Sequence, residues 1–203
     1  MSPRQRTRMK KYQHLLTASL LLLAACALSP QIVPIQPDIQ VTHPATDKGV
    51  LALEVTDTRS SNTLGKRGGV YGDTSDISTA GDITGGLRQS LVTALRKMGY
   101  EVLADPSSPA LRVELATLGY RVIEDKVTRH IETRAAVNAV FNKENKTFTN
   151  TYTITRNKEM LAPPGEGENV QLINDTLAAA LQQMLEDGDL FNLIDSTLQN
   201  SSK

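Results

Sequence analysis

The chain has 203 residues, with 22 basic and 22 acidic side chains, three histidines and one cysteine. A single cysteine excludes an internal disulfide and a multi-thiolate metal cluster. The balanced charge forms no basic stripe of the kind that neutralises phosphates, which argues against a nucleic-acid partner.

The first residues read MSPRQRTRMKKYQHLL. Arg4, Arg6, Arg8, Lys10 and Lys11 are basic, and no acid precedes Cys26. An apolar run of about ten residues, Leu15 to Ala25, follows; that suits the apolar region of a secretory signal and is too short to span a bilayer as a helix. Leu23-Ala24-Ala25-Cys26 resembles the lipobox of bacterial lipoproteins, although an ordinary signal peptide with an incidental cysteine has the same outline. The lipobox resemblance implies cleavage before Cys26, a thioether-linked diacylglycerol on Cys26 and an acyl chain on the new amino terminus. Two or more acyl chains give stable anchoring without a membrane-spanning segment. Residues 1–25 are then a signal peptide, 26–48 a lipidated tether and 49–200 one folded domain. Ala27, in place of an aspartate, makes the outer membrane the expected destination. Removing the five basic residues ahead of Cys26 leaves 17 against 22 acids, about minus five.

Pro30, Pro34, Pro37 and Pro44 recur through the segment up to Lys48 and favour extended backbone. Ile32, Val33, Ile35, Ile39 and Val41 make it apolar for a free linker, so an edge strand or packing on the domain is the alternative to a spacer. Gly49 to Val55 is apolar at nearly every position and predicts a central strand. Residues 57–81, rich in Gly, Ser, Thr and Asp, predict a long loop, with a short hairpin as an option.

A helix is predicted from Asp82 or Thr84 to Met98. Leu87, Leu91, Ala94, Leu95 and Met98 form one face, and Gly99 ends it. Tyr100 to Leu103 is a short strand. Leu111 to Leu115, Ile131 to Phe141 and Thr147 to Arg156 alternate apolar and polar residues and predict three further strands, the last two joined by a polar turn over 142–146. Phe148, Tyr152 and Ile154 share one face of the last strand; Thr147, Thr149, Thr151, Thr153 and Thr155 share the other. A second helix is expected from Asn169 to Glu186, with Ile173, Leu177, Ala180, Leu181 and Met184 as its stripe. A short third helix carries Leu190, Leu193, Ile194 and Leu198, with Asp189 as its cap. The order predicts an α+β fold: a mostly antiparallel sheet of four to five strands, two amphipathic helices on one face and a short C-terminal helix.

No catalytic constellation stands out. His14 leaves with the signal, His43 lies in the tether and His130 stands alone, whereas a metal site or a triad needs several groups to converge. Gly65-Lys66-Arg67-Gly68-Gly69 lacks the spacing of a phosphate loop. Glu124-Asp125 and Asp73-Asp76 lie in polar loops. No metal, cofactor or catalytic residue is therefore assigned. The sequons at Asn145 and Asn174 carry no weight behind a bacterial signal.

Cys26 at the signal end, the segment Ser29-Pro30 to Ile39, the following strand, Asp57-x-Arg59, Leu64-Gly65 and a helix with Leu91 and Leu95 ending Gly99-Tyr100-Glu101-Val102 together resemble the YajG family of Gram-negative lipoproteins. The resemblance spans most of the chain. It implies an outer-membrane lipoprotein and supplies no catalytic residues. It marks Asp57 and Arg59, either as a local salt bridge that closes the start of the loop or as a contact for a ligand or partner. The leading expectation is a non-enzymatic accessory or assembly subunit of the envelope, bound to the membrane through lipid on Cys26 and to a protein partner. The rival is a periplasmic binding module in which Asp57, Arg59 and loop 57–81 read a polar or cell-wall-derived ligand. An envelope hydrolase ranks last.

Overall fold

One long strand organises the sheet. The computed structural model describes residues 29–68, 75–103, 110–124, 128–143 and 146–201. The signal segment, Cys26, residues 69–74 of the long loop and residues 144–145 of the polar turn lie outside the described residues. In chain order the elements are β1 Gln31–Val33, β2 Gly49–Asp57, β3 Thr63–Lys66, β4 Asp76–Thr79, α1 Thr84–Lys97, β5 Tyr100–Leu103, β6 Ala110–Glu124, β7 Arg129–Lys143, β8 Lys146–Met160, α2 Glu166–Leu185 and α3 Gly188–Ser201. β6 is the shared strand. On one flank it pairs with β7 along its whole length, and β7 pairs with β8, both antiparallel. On the other flank its first half pairs with β2 from Ala52↔Ala110 to Asp57↔Leu115, and its second half meets β3 at Gly65↔Tyr120. The sheet therefore forks: β5 extends it beyond β2, and β4 then β1 extend it beyond β3.

This corrects the expected sheet. The class is α+β, but the sheet has eight strands among the described residues rather than four or five, and it is mixed rather than mostly antiparallel. The pairings β1–β4, β2–β5, β2–β6 and β3–β6 are parallel. Two physical causes account for the difference. The helix α1 between β2 and β5 is a crossover, which returns the chain parallel to where it left. β3 and β4 are four residues each in a glycine- and threonine-rich stretch, too short to show an alternation, and acquire strand geometry by pairing with β6 and β1.

A bulge explains why only part of β6 was legible. The register shifts between Leu115 and Thr117. Leu111, Val113 and Leu115 are buried before it, Leu118 and Tyr120 after it, so the period-2 pattern changes phase inside the strand. β7 keeps one phase throughout: Ile131, Thr133, Ala135, Val137, Ala139 and Phe141 are all buried. The five threonines of β8 are all exposed.

The helices bury their apolar stripes in one cluster with the sheet. Leu87, Leu91, Ala94 and Leu95 come from α1, Ile173, Leu177, Ala180, Leu181 and Met184 from α2, and Leu190, Phe191, Ile194 and Leu198 from α3. α2 begins three residues before the expected Asn169. The cap of α3 is Asp187, not Asp189: its carboxylate accepts from the backbone N–H groups of Asp189 at 3.0 Å and Leu190 at 3.1 Å.

The proline-rich segment joins the fold. Burial alternates at every residue from Gln31 to Gln40, a strand-like period over ten residues, although proline limits the hydrogen-bonded part to β1. Val33, Ile35 and Ile39 enter the core. The segment lies so close to α1 that a Cβ on Gly86 would sit 2.2 Å from the Ile35 carbonyl oxygen, whereas one on Gly85 would meet nothing within 4 Å. Neighbouring substitutions should therefore have opposite signs. Gly85→Ala should stabilise by up to about 1 kcal/mol through helix propensity, and Gly86→Ala should destabilise by about 1–3 kcal/mol through overpacking. Urea midpoints of the two variants beside the parent check this.

Candidate functional site

Asp57 ends β2, and Arg59 stands two residues on. The Arg59 guanidinium donates from Nε to Asp57 Oδ1 at 2.9 Å and from Nη2 to Asp57 Oδ2 at 2.8 Å. The Arg59 backbone N–H donates to the same carboxylate at 3.2 Å, and Nη2 reaches Thr79 Oγ1 at 3.2 Å. The Arg59 side chain is 5% exposed and that of Asp57 19%. The fork closes the loop by tying the end of β2 to the end of β4. Arg59 Nη1 has no hydrogen-bond partner among the described residues. Burial pushes the Asp57 carboxyl up, but the hydrogen bonds and charge of Arg59 outweigh it and hold the group below its ordinary value. The structure thus gives the two marked residues to each other, in the arrangement expected of a local salt bridge.

A second polar cluster, unseen in the sequence, fastens the first described residues to the domain. Gln31 Nε2 donates to the Glu166 carbonyl at 2.8 Å, and Gln31 Oε1 accepts from Asn169 Nδ2 at 2.9 Å. Asn169 Oδ1 accepts from the Tyr120 hydroxyl at 2.8 Å. Arg67 donates through Nη1 to the Ser29 carbonyl at 3.0 Å and lies 3.4 Å from Glu166 Oε1. Gln31, Arg67, Tyr120 and Asn169 are all buried. Burial, together with the opposed charges of Arg67 and Glu168, leaves the Tyr120 hydroxyl pushed up to about 12, so it is a donor at neutral pH. One helical turn onward, Asn174 takes the Gln36 N–H on Oδ1 at 2.8 Å and gives Nδ2 to the Pro34 carbonyl at 2.9 Å. The side chain thus substitutes for a missing strand neighbour on both sides of a residue pair. In the sequence Asn169 marks only the start of the second helix, and Asn174 only a sequon. The signal available was a pair of amides, five apart, on the buried side of α2, where an unpartnered amide would be costly.

The remaining candidates do not converge. His130 lies within 3.5 Å of Thr128 Oγ1. His43 is exposed and lines an open groove of about 450 Å³ with Met98, Asp187 and Phe191. Asp187 in that groove is engaged by the Tyr152 hydroxyl at 2.5 Å besides capping α3. Burial raises its carboxyl, and the hydrogen bonds, led by that of Tyr152, lower it to a net value below the ordinary one. Tyr100 likewise donates to Asp195 at 2.5 Å. These contacts hold helices to strands. No group of three or more His, Cys, Asp or Glu among the described residues could hold a metal ion. No helix among the described residues is long and apolar enough to cross a membrane.

Two outcomes check these assignments. Asn169→Leu leaves Gln31 and the Tyr120 hydroxyl without their partner, and should cost about 2–4 kcal/mol of unfolding free energy in urea. Asp57 has a lowered folded pKa, so its contribution is complete above the ordinary value of 3.8 and is lost as pH falls through the folded value. Asp57→Asn should therefore show a shallower loss of stability than the parent below pH 3.8, measured by thermal unfolding across an acid series.

Two solved structures are similar to the chain at low identity. A crystal structure of a Xanthomonas campestris protein of the DUF330 family is 13% identical, with a TM-score of 0.49, covering 87% of this chain and 99% of its own. A second, of an uncharacterized protein, is 13% identical with a TM-score of 0.43, covering 78% and 98%. No curated protein matches. The model of the family described as "Uncharacterized lipoprotein" matches residues 37–195, from the packed proline-rich segment to the last helix. The chain belongs to this uncharacterized lipoprotein family, the YajG family.

Proposed function

We propose that this lipoprotein is anchored in the outer membrane on its periplasmic face through lipid on Cys26, and acts by contact, as a non-enzymatic accessory or assembly subunit of the envelope. The observation that carries the anchor is the order of a basic start, a short apolar run and Leu23-Ala24-Ala25-Cys26 in a chain of a lipoprotein family. Ala27 supports the outer membrane. Support for action by contact comes from how the buried polar groups are used. Asp57 and Arg59 close on each other, and Tyr100, Tyr120 and Tyr152 donate to Asp195, Asn169 and Asp187. All of these join one element to another. The exposed threonine row of β8 gives a partner a line of side-chain hydroxyls from Thr147 to Thr155. The binding-module reading asks Arg59 to grip a carboxylate with its fork; that fork is occupied by Asp57, so action by contact is preferred.

Mass spectrometry of the membrane-fraction protein tests the anchor. The mature chain should begin at Cys26 and carry three acyl chains, and Cys26→Ala should leave an unlipidated protein outside the outer-membrane fraction. An unlipidated parent chain cleaved elsewhere would refute the assignment. A photocrosslinker at Thr149, Thr151 or Thr153 in intact cells should capture one discrete envelope protein; absence of any specific adduct would remove the accessory-subunit role.

A further inference from the structure

The place where the chain enters the fold sets how the domain meets the bilayer. We infer that the end of the domain bearing Ile32, Ile123 and Leu161 rests directly on the lipid surface, held there by a leash too short to let it turn away. The inference rests on the proposed lipidation of Cys26. Covalent geometry limits the three steps from Cys26 to Ser29 to about 11 Å. Ser29 is already fastened, its carbonyl held by buried Arg67, and Gln31 is locked to α2. By contrast β6, with fifteen residues, is about 50 Å long at the ordinary strand rise. A domain on such a leash cannot present its far end to the membrane.

Strand directions identify the near end. β1 is parallel to β4, β4 antiparallel to β3, and β3 parallel to β6. β1 therefore runs against β6, and the chain leading back from Gln31 toward Cys26 points the way β6 points, toward Glu124. Gln31 stands in the row Ile77, Gly65, Tyr120, so Ser29 is level with about residue 122. Ile123 lies at this end, and Leu161 follows Met160, which pairs with Arg129 and through it with Glu124. Among the described residues the exposed large apolar side chains are Ile32 at 68%, Ile123 at 45%, Leu161 at 83% and Leu103 at 39%. Three of these four thus sit on the half of the domain from which the leash emerges. Leu103 pairs with Ala52, which pairs with Ala110; it is about 40 Å from Ile123 along β6. Among the described residues the charges at the near end are of both signs, with Glu124 against Arg129 at 3.2 Å, Lys158 against Glu168 at 2.6 Å and Glu159 exposed beside them. Contact therefore depends on apolar side chains entering the interface rather than on attraction to anionic headgroups.

The test uses the full lipidated protein in phosphatidylethanolamine–phosphatidylglycerol vesicles doped with nitroxide-labelled lipid. With Cys26 blocked by its lipid, single cysteines introduced as Leu161→Cys, Ile123→Cys and Leu103→Cys can each carry one fluorophore. Emission from positions 161 and 123 should be quenched several-fold more than emission from position 103. Equal quenching at the three positions, or none at any, in protein that floats with the vesicles would overturn the seating while leaving the anchor intact. A fluorescence change at 161 and 123 without nitroxide quenching would assign that end to a second protein surface and also overturn it. Loss of the lipid reading itself would show separately, as protein that does not float and carries no acyl mass on Cys26.

Discussion

The structure depends on one strand serving two neighbours at once. β6 pairs with β2 along its first half and with β3 along its second. The register shift between Leu115 and Thr117 changes the phase of its pleat between the two halves, so that Leu115 and Leu118 are both buried across the bulge. β7 and β8 then extend the unforked flank in continuous register. The helices close over the face that results.

The second constraint is polar. Fixing an extended proline-containing segment against a helix leaves backbone groups with no strand neighbour, and a buried unpaired amide costs on the order of 1–3 kcal/mol. Asn174 answers for the Gln36 N–H and the Pro34 carbonyl, and further back Asn169 joins the Gln31 side chain to the Tyr120 hydroxyl. These amides convert a sequence that reads as a spacer into the first element of the domain. The site they form is mechanical, fixing the position from which the chain leaves toward Cys26.

The two arginines show how chemistry can be misread from residue type alone. Arg59 has the fork geometry that suits a carboxylate ligand, and it meets a carboxylate, but that of its own neighbour Asp57. Arg67 sits in a glycine-rich stretch that superficially suggests phosphate binding, and it holds a backbone carbonyl of the N-terminal segment instead. In both cases burial of the cation is made tolerable by partners within the chain.

The sequence alone determined whatever depends on neighbours a few residues away. The stripes of α1 and α2, the single buried face of β7 and the stop at Gly99 follow from helical and strand periods, and the basic, apolar and small-residue order before Cys26 is readable letter by letter. Tertiary structure decided the rest. The parallel pairings, the recruitment of β1, β3 and β4, the change of phase within β6 and the joining of Gln31 to Asn169 all depend on partners distant along the chain. Residues 31 and 169 lie 138 apart, and no local pattern in either segment carries information about the other. Such contacts form because burial of the core brings these polar groups out of water together, and each then takes the partner that the packed chain places beside it.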